Sequence, residues 1–195
     1  MRTLKFLSLV PFAILLNSNK VSAQKGMLYP QFPESFEVTD QVFETDYSKK
    51  SIIFPTGKWW FYGARPDSLK NDSPSSGKYA ARLTKNHTKP AYLQMNFDVK
   101  KGASKVIFWY SSYGAKADKP STFRLEYSTD GGKTWTQTGE DIVAKVKHKQ
   151  EASFIVDIQG PVRFRINKLG LGNGDADSTI SNGRLSIDDF SIYQN

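Results

Sequence analysis

From Ser35 to Tyr193 the chain keeps returning to one pattern: a short run of β-branched and aromatic residues, then a break of Gly, Pro, Asn, Asp or Ser. Helical periodicity is almost absent. Runs of this length, closed by turn formers, predict the strands of an all-β sandwich or barrel. Ten strands are predicted, at Ser35–Val38, Trp59–Tyr62, Tyr79–Leu83, Ala91–Phe97, Lys105–Tyr110, Thr122–Ser128, Thr134–Thr138, Ser153–Ile158, Val162–Lys168 and Leu185–Tyr193. Val162, Phe164 and Ile166 share one parity, and Arg163 and Arg165 the other. That strand is half-buried, and its two arginines read as a solvated face. The segment Glu140–Gln150 is open to either a turn of helix or an extended run.

Residues 1–23 read as a secretory signal peptide rather than as part of the fold. Met1–Lys5 is short and basic, Phe6–Leu16 is rich in apolar residues, and Val21-Ser22-Ala23 forms a small-residue cleavage site. The apolar run is about half of the ~20 residues that a membrane span requires. Residues 24–31 are expected to be a flexible segment, and 32–195 a single domain. The expected localisation is therefore secreted or extracytoplasmic, with no transmembrane segment. Cysteine is absent, which excludes disulfides, thiol catalysis and a lipid-carrying cysteine. The formal charge of +8 falls to +5 without Arg2, Lys5 and Lys20. What remains is scattered, unlike the clustered charge of nucleic-acid binders, so no nucleic-acid partner is expected.

Ser128-Thr129-Asp130-Gly131-Gly132-Lys133-Thr134-Trp135 matches the Asp-box pattern Ser-x-Asp-x-Gly-x-Thr-Trp, which decorates the propeller blades of sialidases. A propeller repeats blades of ~40–50 residues, so this chain would hold at most about four, yet the motif occurs once. Glycoside hydrolysis also needs a placed pair of carboxylates, and nothing in the sequence marks one. His87 and His148 lie in polar stretches and read as surface residues. No enzymatic activity is expected. The motif reads instead as a structural turn: Asp130 ties it, Gly131 and Gly132 supply positive φ, and Trp135 plugs it.

Trp59-Trp60-Phe61-Tyr62 is the most informative stretch for function. Alternation prevents four consecutive side chains in a strand from sharing one face. One pair, Trp59/Phe61 or Trp60/Tyr62, belongs to the core. The other meets a loop such as Pro66–Gly77, or solvent, where amphipathic rings suit a sugar surface. The candidate ligand-binding residues are Trp60 and Tyr62, with Trp109 and Tyr113 extending the surface from another strand. The long polar loops Pro66–Gly77, Gly114–Pro120 and Gly170–Gly183 are further places for binding.

The last predicted strand changes parity. Leu185 and Ile187 fall on one side, Phe190 and Ile192 on the other, so a bulge is expected at Asp188-Asp189. It would bring an acid to the edge of the core, where a lone carboxylate is costly. Glu37, Asp188 and Asp189 are therefore candidate ligands of a structural Ca²⁺. The alternative is that these acids are exposed or pair with arginines such as Arg82.

Phe36-Glu37, Ala81-Arg82-Leu83, Phe108-Trp109-Tyr110, Tyr127-Ser128 with its hairpin, Phe164-Arg165 and Ile187-Asp188-Asp189-Phe190-Ser191-Ile192 together resemble the MAM-type jelly roll. They resemble still more its cysteine-free bacterial relatives, the cleaved-adhesin and "choice-of-anchor" modules of secreted surface proteins. The resemblance implies a galactose-binding-like or MAM-like two-sheet antiparallel jelly-roll β-sandwich. It also implies an ion near the joined termini and roles in adhesion or carbohydrate binding. The leading expectation is a non-catalytic module that recognises a glycan or another extracellular component. A structural or adhesion protein with a protein partner is the alternative, and an accessory to a secreted hydrolase the third. The sequence leaves the oligomeric state open.

Overall fold

The computed structural model describes residues 26–38, 46–85, 89–113, 118–145, 147–170 and 179–195. The predicted signal peptide and His87 lie outside them, as do 114–117 and 171–178 of the two later polar loops. Among the described residues, no helix is long and apolar enough to cross a membrane.

Eleven strands form two antiparallel sheets. In chain order they are β1 (Lys50–Phe54), β2 (Gly57–Tyr62), β3 (Ala64–Asp67), β4 (Ala80–Leu83), β5 (Ala91–Met95), β6 (Ala103–Ser112), β7 (Ser121–Ser128), β8 (Thr136–Ala144), β9 (Gln150–Ile158), β10 (Arg163–Lys168) and β11 (Leu185–Tyr193). One sheet has six strands in the order β1-β2-β5-β10-β7-β8, and the other five in the order β3-β4-β11-β6-β9. The fold is a two-sheet antiparallel jelly-roll sandwich. Its core lies between the inner faces: Trp59, Phe61, Leu93, Phe123 and Phe164 from the first sheet meet Leu83, Val106, Phe108, Ile187 and Phe190 from the second.

Alternation is obeyed where it was legible. In β2, Trp59 and Phe61 are fully buried while Trp60 and Tyr62 are half-exposed. Two strands escape the sequence reading. β1 is only five residues long, and β3 contains Arg65, Pro66 and Asp67, a composition poor in strand formers. Pro66 is tolerated because β3 is an edge strand. The predicted helix-or-extended segment is extended, since β8 runs on to Ala144 and β9 begins at Gln150.

The start of the domain corrects one expectation. Ser35–Val38 makes no ladder, because Phe36 has φ 54° and drops its ring into the core. The pairing sits one residue earlier than Ser35, where Glu34 and Phe190 exchange two backbone hydrogen bonds of 2.7 and 2.9 Å. Residues 26–31, expected to be flexible, lie along the end of β11: Tyr29 N–H donates to Ile192 O at 2.9 Å and Gln194 N–H to Met27 O at 2.8 Å. The two ends of the domain are thus tied side by side.

The hairpin between β7 and β8 is closed by side chains. Asp130 Oδ1 accepts from the Lys133 and Thr134 amides, both at 3.0 Å, and Asp130 Oδ2 from the Thr134 hydroxyl at 2.6 Å. The Ser128 hydroxyl donates to Asp130 Oδ1 at 2.7 Å and accepts from Gly132 N at 2.8 Å. The Thr134 hydroxyl, then the Thr134 amide, hold the Asp130 carboxyl well below the usual range. Gly131 and Gly132 have φ 76° and 89°, a region that penalises any Cβ.

Candidate functional site

The outer face of the six-stranded sheet gathers the aromatic residues that the core does not use. Register places Ser51, Trp60, Gln94, Arg165, Glu126 and Gln137 in one row that crosses all six strands. A second row beside it runs Tyr62, Tyr92, Asn167, Arg124. Both rows point outward, because their neighbours Trp59, Phe61, Leu93, Phe164, Ile166 and Leu125 point into the core.

Ring contacts make the two rows continuous. Tyr62 and Tyr92 are stacked, with centroids 5.1 Å apart at 27°. The Arg165 guanidinium lies 5.7 Å from the Tyr92 ring and 4.3 Å from the Trp135 ring. Trp135 follows the hairpin turn, so the turn delivers a fourth ring to this face. At the other end the Lys49 ammonium sits 4.6 Å from the Trp60 ring. A strip of Trp60, Tyr62, Tyr92, Arg165 and Trp135 therefore crosses the sheet, and its planar groups are arranged by strand spacing.

Arg165 is held from beneath. Its Nε donates to Glu126 Oε2 at 2.5 Å, and Asn167 Nδ2 donates to Glu126 Oε1 at 3.0 Å. Both Glu126 oxygens are thereby engaged, and the guanidinium plane is fixed between two rings. Such a fork has five donors and stacks readily on aromatic faces. Burial raises the Tyr92 hydroxyl above its ordinary pKa, with Arg165 acting in the opposite direction, so the ring stays a neutral hydrogen-bonding group. Arg163 pairs with Asp98 at 2.6 Å, and Arg124 with Asp141 at 3.1 Å.

The four aromatics predicted from sequence do not meet on one surface. Trp60 and Tyr62 belong to the strip. Trp109 lies on β6 in the other sheet, its register partners being Asp188 and Glu151, and faces outward on the opposite side of the sandwich. Tyr113 is only 6% exposed, with the Arg184 guanidinium 3.6 Å and that of Arg82 5.1 Å from its ring. Alternation marks parity within a strand but not which strands share a sheet. Tyr92, Gln94 and Arg165 were missed for that reason. Trp135, expected as a plug of its own turn, lies beside Gly132 and also reaches Arg165 on this face.

Glu37, Asp188 and Asp189 converge on one loop, Ser75–Tyr79. Asp188 Oδ2 accepts from the Ser75 amide and from the Ser76 amide at 3.1 Å, and Asp189 Oδ1 from the Ser76 hydroxyl at 2.6 Å. Glu37 Oε1 accepts from the Lys78 and Tyr79 amides at 2.8 and 2.7 Å. The expected bulge is present: the β11–β6 register shifts between Asp188 and Ser191, and Asp189 has φ 46°. Asp188 is 3% exposed, and burial pushes its carboxyl up to about 7 against the pull of the Ser76 amide. Among the described residues none of the three is in a salt bridge, and no group of three or more His, Cys, Asp or Glu side chains is gathered for a metal ion. Arg82 instead pairs with Asp67 and Asp72.

No family model matches this sequence, and no curated protein matches it. Among solved structures, the chain is similar to the K2 cleaved adhesin domain of Lys-gingipain, with a TM-score of 0.52 and 15% identity over 84% of this chain and 99% of that one. It is also similar to the CBM22-1 xylan-binding domain of Paenibacillus barcinonensis Xyn10C, with a TM-score of 0.45 and 12% identity over 70% and 85% of the two chains. A family 29 carbohydrate-binding module from Piromyces equi gives 0.45 and 12% over 76% and 87%. The likeness to the cleaved adhesin domain is one of fold, in keeping with the two antiparallel sheets of this chain.

Proposed function

We propose that this protein is a non-catalytic, extracytoplasmic binding module that takes a glycan across the outer face of its six-stranded sheet. The observation that carries this reading is the strip Trp60, Tyr62, Tyr92, Arg165 and Trp135. Sugar rings offer C–H faces that pack on aromatic faces, and hydroxyls that meet Gln94, Arg165, Asn167 and Gln137. An extended chain laid across the strands meets successive columns about 4.8 Å apart. Engagement of both Glu126 oxygens by Arg165 and Asn167 suits a residue that positions donors rather than one that transfers protons. The MAM-like, choice-of-anchor kinship belongs to this reading, as does the secretory signal peptide at 1–23.

Binding to a glycan array tests it. Trp60→Ala and Trp135→Ala should each weaken the bound glycan about tenfold or more, as loss of a central aromatic contact does. Both side chains lie on the outer face, so the melting temperature should stay nearly constant. Capture of a protein ligand by the same face, with no glycan bound, would move the reading to adhesion through a protein partner.

Calcium is part of the proposal. Hard carboxylate oxygens at Asp188 and Asp189, with Glu37 hydrogen-bonded to the same Ser75–Tyr79 loop, have the donor chemistry the ion prefers. The adjacent Asp188 and Asp189 would hold it, with backbone oxygens completing the shell, and the ion would neutralise acid buried beside the joined termini. Calcium at 100 times its dissociation constant stabilises the folded state by about 2.7 kcal/mol. Calorimetry with millimolar calcium and with chelator should therefore show two different melting temperatures. Identical values would remove the ion.

A further inference from the structure

We infer that the glycan is acidic, and that its anionic groups are read by lysines at the Trp60 end of the strip. This deepens the proposed function and rests on it. The acids on this face are already engaged: Glu126 by Arg165 and Asn167, Asp98 by Arg163, and Asp141 by Arg124. The cations are not evenly placed. Lys58 precedes Trp60 by two residues in β2 and so shares its outward face. Lys49 stands over the Trp60 ring at 4.6 Å. Beside them opens a groove of about 530 Å³ lined by Asp46, Tyr47, Ser48, Lys49, Tyr62 and Lys89. Its one described acid, Asp46, is bound to Lys50 at 2.8 Å.

The aromatic surface thus runs into a groove rimmed by ammonium groups. An ammonium on a flexible stem is a mobile point charge. It can leave the Trp60 face when a sugar stacks there and follow an anion carried on that sugar. Neither Lys49 nor Lys58 forms a salt bridge among the described residues, so no bond to a described carboxylate opposes that movement. A neutral glycan would use the rings and Arg165 but leave this end of the face without a partner. The shared chemistry of the ligand is a pyranose chain bearing carboxylate or sulfate groups.

The test is affinity measurement of the purified protein against three polymers: a polyuronate, a sulfated polysaccharide and an unsubstituted neutral polysaccharide. A single-stranded oligonucleotide serves as a fourth arm. Preferential binding of the polyuronate assigns a carboxylate, and of the sulfated polymer a sulfate. In either case raising salt from about 0.05 to about 0.5 M should weaken binding tenfold or more, because exposed charges are screened over a few ångströms at high salt. Lys49→Ala combined with Lys58→Ala should weaken the acidic polymer about tenfold, the size expected for loss of hydrogen bonds to charged groups. The melting temperature should hold, since both lysines are exposed. Trp60-dependent binding of the neutral polymer, indifferent to salt and to both lysines, overturns the acidic assignment and leaves the glycan reading standing. Equal binding of the oligonucleotide also overturns it. Failure to bind any of the polymers, or binding indifferent to Trp60, overturns the glycan reading itself.

Discussion

Replacing Trp59 with alanine is expected to destabilise the protein by about 4 kcal/mol, the central value for truncating a large aromatic in a packed core. Trp59 is 0% exposed. Its ring meets Phe36, Phe190 and Phe97 edge-on, at centroid distances of 5.3, 5.5 and 6.1 Å. Its Nε1 donates to the Thr56 hydroxyl at 3.0 Å, and that hydroxyl donates to Glu34 Oε2 at 2.5 Å. Phe36 and Glu34 come from the start of the domain and Phe190 from its last strand. One indole thus packs both ends of the chain against β2. Glu34 is itself poised: burial raises its carboxyl, and the Thr56 hydrogen bond pulls it back. Calorimetry should show a fall in melting temperature of about 10 °C, from the usual 2–4 °C per kcal/mol for chains of this size. Trp59→Phe should retain most of the packing and lose the tie to Thr56. A melting temperature unchanged in Trp59→Ala would mean that the termini are held without this ring.

The second large effect is expected at Arg82. This residue is 2% exposed on the outer face of the five-stranded sheet. Its guanidinium reaches Asp67 and, at 3.2 Å, Asp72, which is 0% exposed, while its Nε donates to Tyr47 Oη at 3.0 Å. Arg65 shares Asp67 at 2.5 Å, so Asp72 is the acid that depends on Arg82. Arg82→Met should cost about 3–5 kcal/mol, the range for stripping one partner from a buried pair. Adding Asp72→Asn should restore much of it, because the remaining charges then balance.

The pH dependence separates this account from simple loss of packing. Burial pushes Asp72 up to about 7 against the opposing pull of Arg82. An acid whose folded pKa lies above its unfolded value binds its proton more tightly when folded. Its contribution is complete below about pH 4 and is lost as pH rises towards 7. Without Arg82 the folded pKa moves higher, so in Arg82→Met stability should go on falling above pH 7, where the parent protein levels off. Parallel pH profiles would refute a role for the charge.

These residues also show what a reader of the sequence can and cannot obtain. Arg82 stood out as a possible partner for the C-terminal acids, and the structure gives it to Asp67 and Asp72 instead. β3 and the turn after it carry those two acids, in a stretch whose composition reads as loop. Pairing across strands is non-local, and residue spacing carries no record of it. The aromatic strip illustrates the same limit. Alternation within Trp59–Tyr62 predicts two rings in and two out, but Tyr92, Arg165 and Trp135 join Trp60 and Tyr62 only because β2, β5 and β10 are neighbours. Trp109 has the right parity and the wrong sheet.

By itself the sequence determined the all-β class, the parity of the alternating strands, the bulge at Asp188-Asp189 and the chemistry of the Asp130 turn. All of these follow from contacts within a few residues, where backbone geometry leaves little choice. Tertiary structure alone decided which strands are neighbours, which outward rings form one surface, and where Arg82 and Asp188 find their partners. Those contacts join residues tens of positions apart, and they are selected by burial of the whole core rather than by local preference.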